Sequence, residues 1–89
     1  MKIRLELFGA SREFSNKDYL DFNINKKISI KDFRQEIINY LKLNFKENKA
    51  FKKIVETSAF CTEDNNIIND NYKIIKNQKI TKIPPIGGG

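Results

Sequence analysis

The chain opens on an alternation. Ile3, Leu5 and Leu7 fall on one side of residues 2–8 and Arg4 and Glu6 on the other, the period of a half-buried strand, until Phe8 breaks the polar face. Gly9 to Lys17 reads as a loop; Leu20, Phe22 and Ile24 then alternate against Asp21 and Asn23, and Asn25 to Lys27 supplies an exit turn. Two strands this close predict an antiparallel hairpin. The period then changes. Ser29 followed by Asp32 resembles a capping box, and Ile30, Phe33, Ile37, Tyr40 and Leu41 recur along one helical face, which predicts a helix of about three to four turns. Asn44 to Lys53 is mixed and lysine-rich and is read as a second short helix ending near Val55. Ser58 to Thr62 predicts a third strand, Glu63 to Asn66 a turn, Ile67 and Ile68 a short return strand, and Asn69 to Asn71 another turn. Ile74 and Ile75 are expected in the core. Lys79 to Ile83 reads as a last strand, ended by Pro84 and Pro85, which cannot donate ladder hydrogen bonds.

The order ββαβ(β)β around one central helix is that of an α+β β-grasp, a mixed sheet of four to five strands packed on one main helix. It predicts a domain over residues 1–83 and a separate tail over residues 84–89. A chain of 89 residues has room for one small domain with a modest core. With 39% hydrophobic and 31% charged residues it has the composition of a soluble protein, and no apolar run is long enough to span a bilayer. Its start, MKIRLELFG, lacks the apolar core of a signal peptide. The single cysteine, Cys61, cannot close an internal disulfide. A cytoplasmic location and no membrane partner are expected.

The histidine count of zero removes Ser/His and Cys/His nucleophile pairs and most zinc sites, so neither a cofactor nor a metal is expected. The formal charge of +6 is carried by lysines scattered from Lys2 to Lys82, which reads as a solvated surface and predicts no nucleic-acid partner. A basic nucleic-acid-binding module, with Arg12, Lys17, Lys26 and Lys27 sharing an edge, is the reading of another class. Cys61 beside Phe60 reads as a small buried hydrophobe, and Glu63, Asp64 and Asp70 as turn residues whose spacing matches no calcium loop.

The candidate chemistry lies after Pro85, where Ile86, Gly87, Gly88 and Gly89 follow. Three glycines cost entropy and pack nothing. A frayed end or an engineering scar is the plain alternative; the functional reading is a stiff Pro-Pro exit followed by a thread thin enough for a narrow channel. From Pro84 to Gly89 such a thread reaches at most roughly 20 Å, at about 3.3 Å per residue. A terminal carboxylate, with an ordinary pKa of about 3.3 to 3.7, is a poor electrophile until activated. Adenylation by ATP would make a mixed anhydride, from which sulfide expels AMP to leave a thiocarboxylate.

Phe8-Gly9-Ala10 with Arg12-Glu13, the helix start Ser29-Ile30-Lys31-Asp32-Phe33-Arg34, and the ending Ile83-Pro84-Pro85-Ile86-Gly87-Gly88-Gly89 together resemble the small subunit of molybdopterin synthase, in the ubiquitin-like sulfur-carrier family. The resemblance spans essentially the whole chain, and its specific part is the Pro-Pro-X-X-Gly-Gly ending. It implies that Gly88 and Gly89 are the terminal pair activated by an adenylating, E1-like enzyme using ATP. It further implies that the tail enters the large subunit of molybdopterin synthase, which holds the catalytic groups, to deliver sulfur for molybdenum cofactor biosynthesis. Phe8, Ile83 and one of Ile67 or Ile68 correspond to apolar positions that grip the partner, against the alternative of core or sheet packing. The turn Lys76-Asn77-Gln78 stands where that family reads Asp-Gly-Asp, so Asn77 is expected to supply a positive φ. Carriers for thiamine, cysteine or transfer-RNA thiolation, and ubiquitin-like protein modifiers, share the Gly-Gly ending and stay open as alternatives.

Overall fold

The opening alternation builds β1 (Lys2–Glu6), with Ile3 and Leu5 fully buried. Its neighbour β2 (Tyr19–Asn23) runs antiparallel, pairing Ile3 with Phe22 and Leu5 with Leu20. The Met1 amine donates to the Ile24 carbonyl at 2.7 Å, and the Ile24 amide to that of Met1 at 2.9 Å, closing the open end of the hairpin. The computed structural model describes residues 1–46 and 48–83; the tail read from Pro84, Pro85, Ile86, Gly87, Gly88 and Gly89 lies outside the described residues.

Where the sequence predicts a loop, a 3-10 helix spans Gly9–Phe14. Gly9 enters it at φ 58°, a region a Cβ disfavours. Ser11 is fully buried, and its hydroxyl accepts from the Phe8 amide at 3.3 Å and donates to the Phe8 carbonyl at 2.6 Å. Phe14 then drops into the core. So short a helix leaves no period in the sequence.

A two-residue strand, β3 (Ile28–Ser29), leads into α1 (Ile30–Phe45). The Ser29 hydroxyl accepts from the Asp32 amide at 3.1 Å, the cap expected from its position. Ile30, Phe33, Ile37, Ile38 and Leu41 form the buried face of this sixteen-residue helix. Its second short partner, α2 (Lys49–Thr57), starts at Asn48, whose side chain accepts from the Phe51 amide at 3.1 Å. Phe51 stacks against Phe14 at 5.0 Å and Phe45 at 5.2 Å, which pins α2 to the 3-10 helix and to the end of α1.

The rest of the chain supplies β4 (Ala59–Cys61), β5 (Ile67–Ile68), β6 (Lys73–Ile74) and β7 (Gln78–Ile83). The main sheet has the order β2-β1-β7-β4-β5, with β1 and β7 parallel at its centre and the other pairs antiparallel. β3 and β6 form a separate two-stranded piece in which Ile28 pairs with Ile74. Ile75 corrects the sequence reading. It is 65% exposed while Ile74 is fully buried, since neighbours on an extended chain point opposite ways. Asn77 also differs from expectation: its φ is not positive, and its side-chain oxygen accepts from the Lys2 amide at 2.8 Å. The core between sheet and helices is closed by Phe33 and Phe60, whose rings lie 6.3 Å apart. Each such buried side chain contributes about 1.5–3 kcal/mol.

Candidate functional site at the end of the last strand

β7 is the middle strand of five, and it delivers the chain to Pro84. Side chains paired directly across strands share a face. Glu6 pairs with Tyr19 and with Thr81, Thr81 with Cys61, and Cys61 with Ile67, a row on the face away from the helices. Ala59 lies opposite Ile83, beside that row at the end of β7. Phe8 continues the outward phase of β1 in an extended conformation, φ −133° and ψ 154°. β1 and β7 run parallel with Glu6 beside Thr81 as the last pair of their ladder, and Phe8 and Ile83 each lie two residues beyond it.

Among the residues whose side chains are described, two large apolar ones on this face reach solvent: Phe8 is 49% exposed and Ile67 73% exposed. Phe8 is one strand from β7 and Ile67 two strands away on the other side, so at about 4.8 Å per strand they bracket the tail's point of departure. The two hydrogen bonds between Phe8 and buried Ser11 fix the backbone of the first. Ile68, grouped with Ile67 in the sequence reading, is placed elsewhere. It pairs with Phe60 on the helical face and packs half-buried against the core, as the period of two requires. For Ile83 the strand position is described; Gly88, Gly89 and the rest of the tail lie outside the described residues.

The other half of the face, over β1 and β2, is an ion-pair lattice. Arg4 grips Asp21 through two bonds of 2.9 and 3.0 Å and lies 3.9 Å over the Tyr19 ring. The hydrogen bond from Arg4 holds the Asp21 carboxyl below its usual range. Lys2 reaches the same carboxylate at 3.4 Å, and Lys79 pairs with Glu6 at 3.2 Å. These exposed pairs contribute little stability each, but they make the face charged over β1 and β2 as far as Phe8. Arg12 and Lys17 precede β2 and Lys26 and Lys27 follow it, so the four cations proposed to share an edge are separated by the length of that strand.

Beneath this face lies a residue the sequence reading missed. Lys82 pairs with Phe60 in register, points inward and is fully buried, and its ammonium has no hydrogen-bond partner among the described residues. Its Nζ lies 5.6 Å from the Phe14 ring centre. Burial, with a smaller contribution from the Arg34 charge, lowers its pKa to about 8. Arg34 is itself fully engaged: it donates to the carbonyls of Val55 at 2.6 Å and Ser58 at 2.8 Å, pairs with Asp70 at 2.9 Å, and stacks 4.7 Å from the Phe60 ring. The guanidinium thereby holds the end of α2 against the start of β4. A signal for Lys82 was present. Ile80 and Ile83 are three apart and cannot share a strand face, so an inward Ile80 takes Lys82 inward with it. Cys61, at 4% exposure, is a buried thiol.

Among the described residues no group of histidine, cysteine, aspartate or glutamate side chains is arranged to hold a metal ion. No helix among them is long and apolar enough to cross a membrane.

Sheet order, central parallel pair and single long helix define a ubiquitin-like β-grasp. Solved structures share it. SAMP1 from Haloferax volcanii superposes with a TM-score of 0.68 at 10% identity, over 100% of this chain and 100% of that one. A Pyrococcus furiosus structure, "Putative molybdopterin converting factor, subunit 1", does so with a TM-score of 0.64 at 10% identity, over 96% of this chain and 98% of that one. At that identity the likeness is one of fold. No family model matches the chain, and no curated protein matches its sequence.

Proposed function

We propose that the chain is a ubiquitin-like sulfur carrier that works through the carboxylate of Gly89, as the small subunit of a molybdopterin synthase. The observation that carries this reading is the continuity of the central strand β7 with Pro84-Pro85-Ile86-Gly87-Gly88-Gly89, between two exposed apolar residues suited to docking. The Pyrococcus furiosus protein of the same fold bears a molybdopterin name, which supports the pterin branch.

On an activating enzyme, a carboxylate oxygen of Gly89 attacks the α-phosphorus of ATP and pyrophosphate leaves. Hydrosulfide then attacks the carbonyl carbon of the acyl adenylate. The C–S bond forms, the C–O bond to phosphate breaks, and AMP departs with the electron pair, leaving a thiocarboxylate. No electrons are exchanged with an outside oxidant. In the large subunit the sulfur attacks a carbon of the pterin precursor, an oxygen of the precursor leaves with the electron pair, and water cleaves the resulting thioester at the acyl carbon, returning Gly89 to a carboxylate and leaving the sulfur on the pterin as a thiolate. Two such deliveries make a dithiolene. This domain's part is to place the tail; the acid, base and nucleotide-binding groups belong to its partners.

Incubation with the adenylating enzyme of the same genome, ATP and hydrosulfide is expected to raise the intact mass by the difference between sulfur and oxygen. An unchanged mass, with an enzyme shown to load another carrier, would remove the reading. Docking is expected to rest on the residues beside β7. Phe8→Ala and Ile67→Asp should each weaken the complex with the large subunit roughly tenfold or more while circular dichroism stays native, because burying such a side chain is worth about 1.5–3 kcal/mol. Unaltered affinity in both would place the interface elsewhere.

A further inference from the structure

The net charge of +6 is unevenly placed. Residues 42–53, from the end of α1 into α2, hold five lysines against one glutamate, a net +4. Between the two helices opens a recess of about 160 Å³, lined by Ile38, Leu41, Lys42, Asn48, Lys49 and Lys52. Its floor is aliphatic, formed by Ile38 and Leu41 of the core, and its rim is cationic, formed by three exposed lysines. A volume near 150 Å³ holds a ring the size of benzene, so this recess admits one aliphatic side chain.

The rim lysines serve the helix poorly. A helix N-terminus carries partial positive charge and favours acidic residues, yet the first turn of α2 has none, and Lys49, Lys52 and Lys53 are spaced to repel one another. Helix dipole and lysines therefore add into one focus of positive potential at the mouth of an apolar recess. We propose that this recess is a second docking site, taking an acidic protein segment in which one aliphatic residue sits between carboxylates. The aliphatic anchor covers Ile38 and Leu41, and the carboxylates meet Lys42, Lys49 and Lys52. Nucleic acid fits less well: phosphates would satisfy the rim, but no aromatic ring lines the recess to stack a base, and the floor would stay uncovered. The nine residues of α2, at about 1.5 Å each, separate this mouth from Ser58 and the strands around β7, so a segment bound here leaves those strands uncovered. The site is independent of the tail's chemistry.

The test is fluorescence anisotropy of the 89-residue protein with a fluorescein-labelled peptide, Glu-Asp-Glu-Leu-Glu-Asp-Glu, and with its Leu-to-Ser counterpart. Saturable binding is expected, shifting amide resonances of residues 38–53. It should fall at least roughly tenfold in the triple variant Lys42→Glu, Lys49→Glu, Lys52→Glu, and to a similar degree for the serine peptide. Should the triple variant lose its native circular dichroism, the three single Lys→Gln substitutions are read in its place, each expected to weaken binding severalfold. No binding, equal binding of both peptides, or tighter binding of an oligouridine to the same amides would each overturn the proposal, the last replacing it with a nucleic-acid site.

Discussion

One alanine added after Gly89 is expected to abolish sulfur loading without moving the thermal midpoint. The residues that hold the fold are those of the core between Ile3 and Ile80, so an addition beyond the tail removes no contact from it. Loading is a matter of position. Under the proposed function, the extra residue carries the reactive carbon about 3.3–3.6 Å further along the thread and would put a methyl group where the partner is to receive glycine. A misplacement near 1 Å already costs about a hundredfold in rate, so adenylation and sulfur attack should both fall below detection. Intact-protein mass after incubation with the activating enzyme, ATP and hydrosulfide reads the result directly. Equal loading of native and extended proteins would sink the tail-based mechanism and with it the proposed function.

Lys82→Met is expected to stabilise the fold, and the gain should depend on pH. Lys82 is fully buried, its ammonium has no hydrogen-bond partner among the described residues, and Arg34 adds repulsion; the Phe14 ring at 5.6 Å returns only part of what hydration would supply. Its pKa of about 8 in the fold lies below the ordinary 10.5. Below pH 8 both folded and unfolded chains hold the proton, so the full penalty is present, about 3 kcal/mol at 1.36 kcal/mol per pKa unit. As pH rises from 8 towards 10.5 the folded protein loses the proton while the unfolded chain keeps it, and stability climbs. Methionine matches the length of the buried stem and carries no charge. The variant should therefore exceed the native protein by about 3 kcal/mol at pH 7, with the difference shrinking across that window. Urea unfolding of both proteins at pH 7, 8.5 and 10 measures it. A pH-independent difference, or a less stable variant, would show that the ammonium is not the source.

What was legible in the sequence follows from the strength of each local signal. β1, β2 and α1 were legible because Ile3-Leu5-Leu7 repeats at two, Ile30-Phe33-Ile37-Leu41 at three to four, and Ser29 sits where a cap must. The 3-10 helix was not: Gly9 to Phe14 is two short turns held by the Ser11 side chain, and its large apolar anchor, Phe14, has no periodic companion. Nor was β3 against β6, where two residues a side give alternation nothing to act on and Ile74 and Ile75 look alike. At the candidate site, the sequence named Phe8 and Ile67 among its apolar candidates but not which of Ile67 and Ile68 faces solvent, since that depends on pairing with β4. Lys82 stayed hidden because lysine is a surface residue by habit, and only the inward phase of Ile80 contradicts it. The Arg34 clamp joins residues 21 to 36 positions apart, beyond any local pattern.

The parallel pairing of β1 with β7 also bears on how the protein comes into being. β1 leaves the ribosome before β7, a strand made some seventy-five residues later that is the inner neighbour of both β1 and β4. Until β7 arrives, the hairpin and the β4–β5 pair are two unconnected halves, each with a raw edge open to chaperones or to other nascent chains. The insertion that joins them is the event that sets the start of the tail between Phe8 and Ile67. A partner that recognises this juxtaposition would meet it on finished molecules alone, so acceptance of the tail doubles as an inspection of the fold.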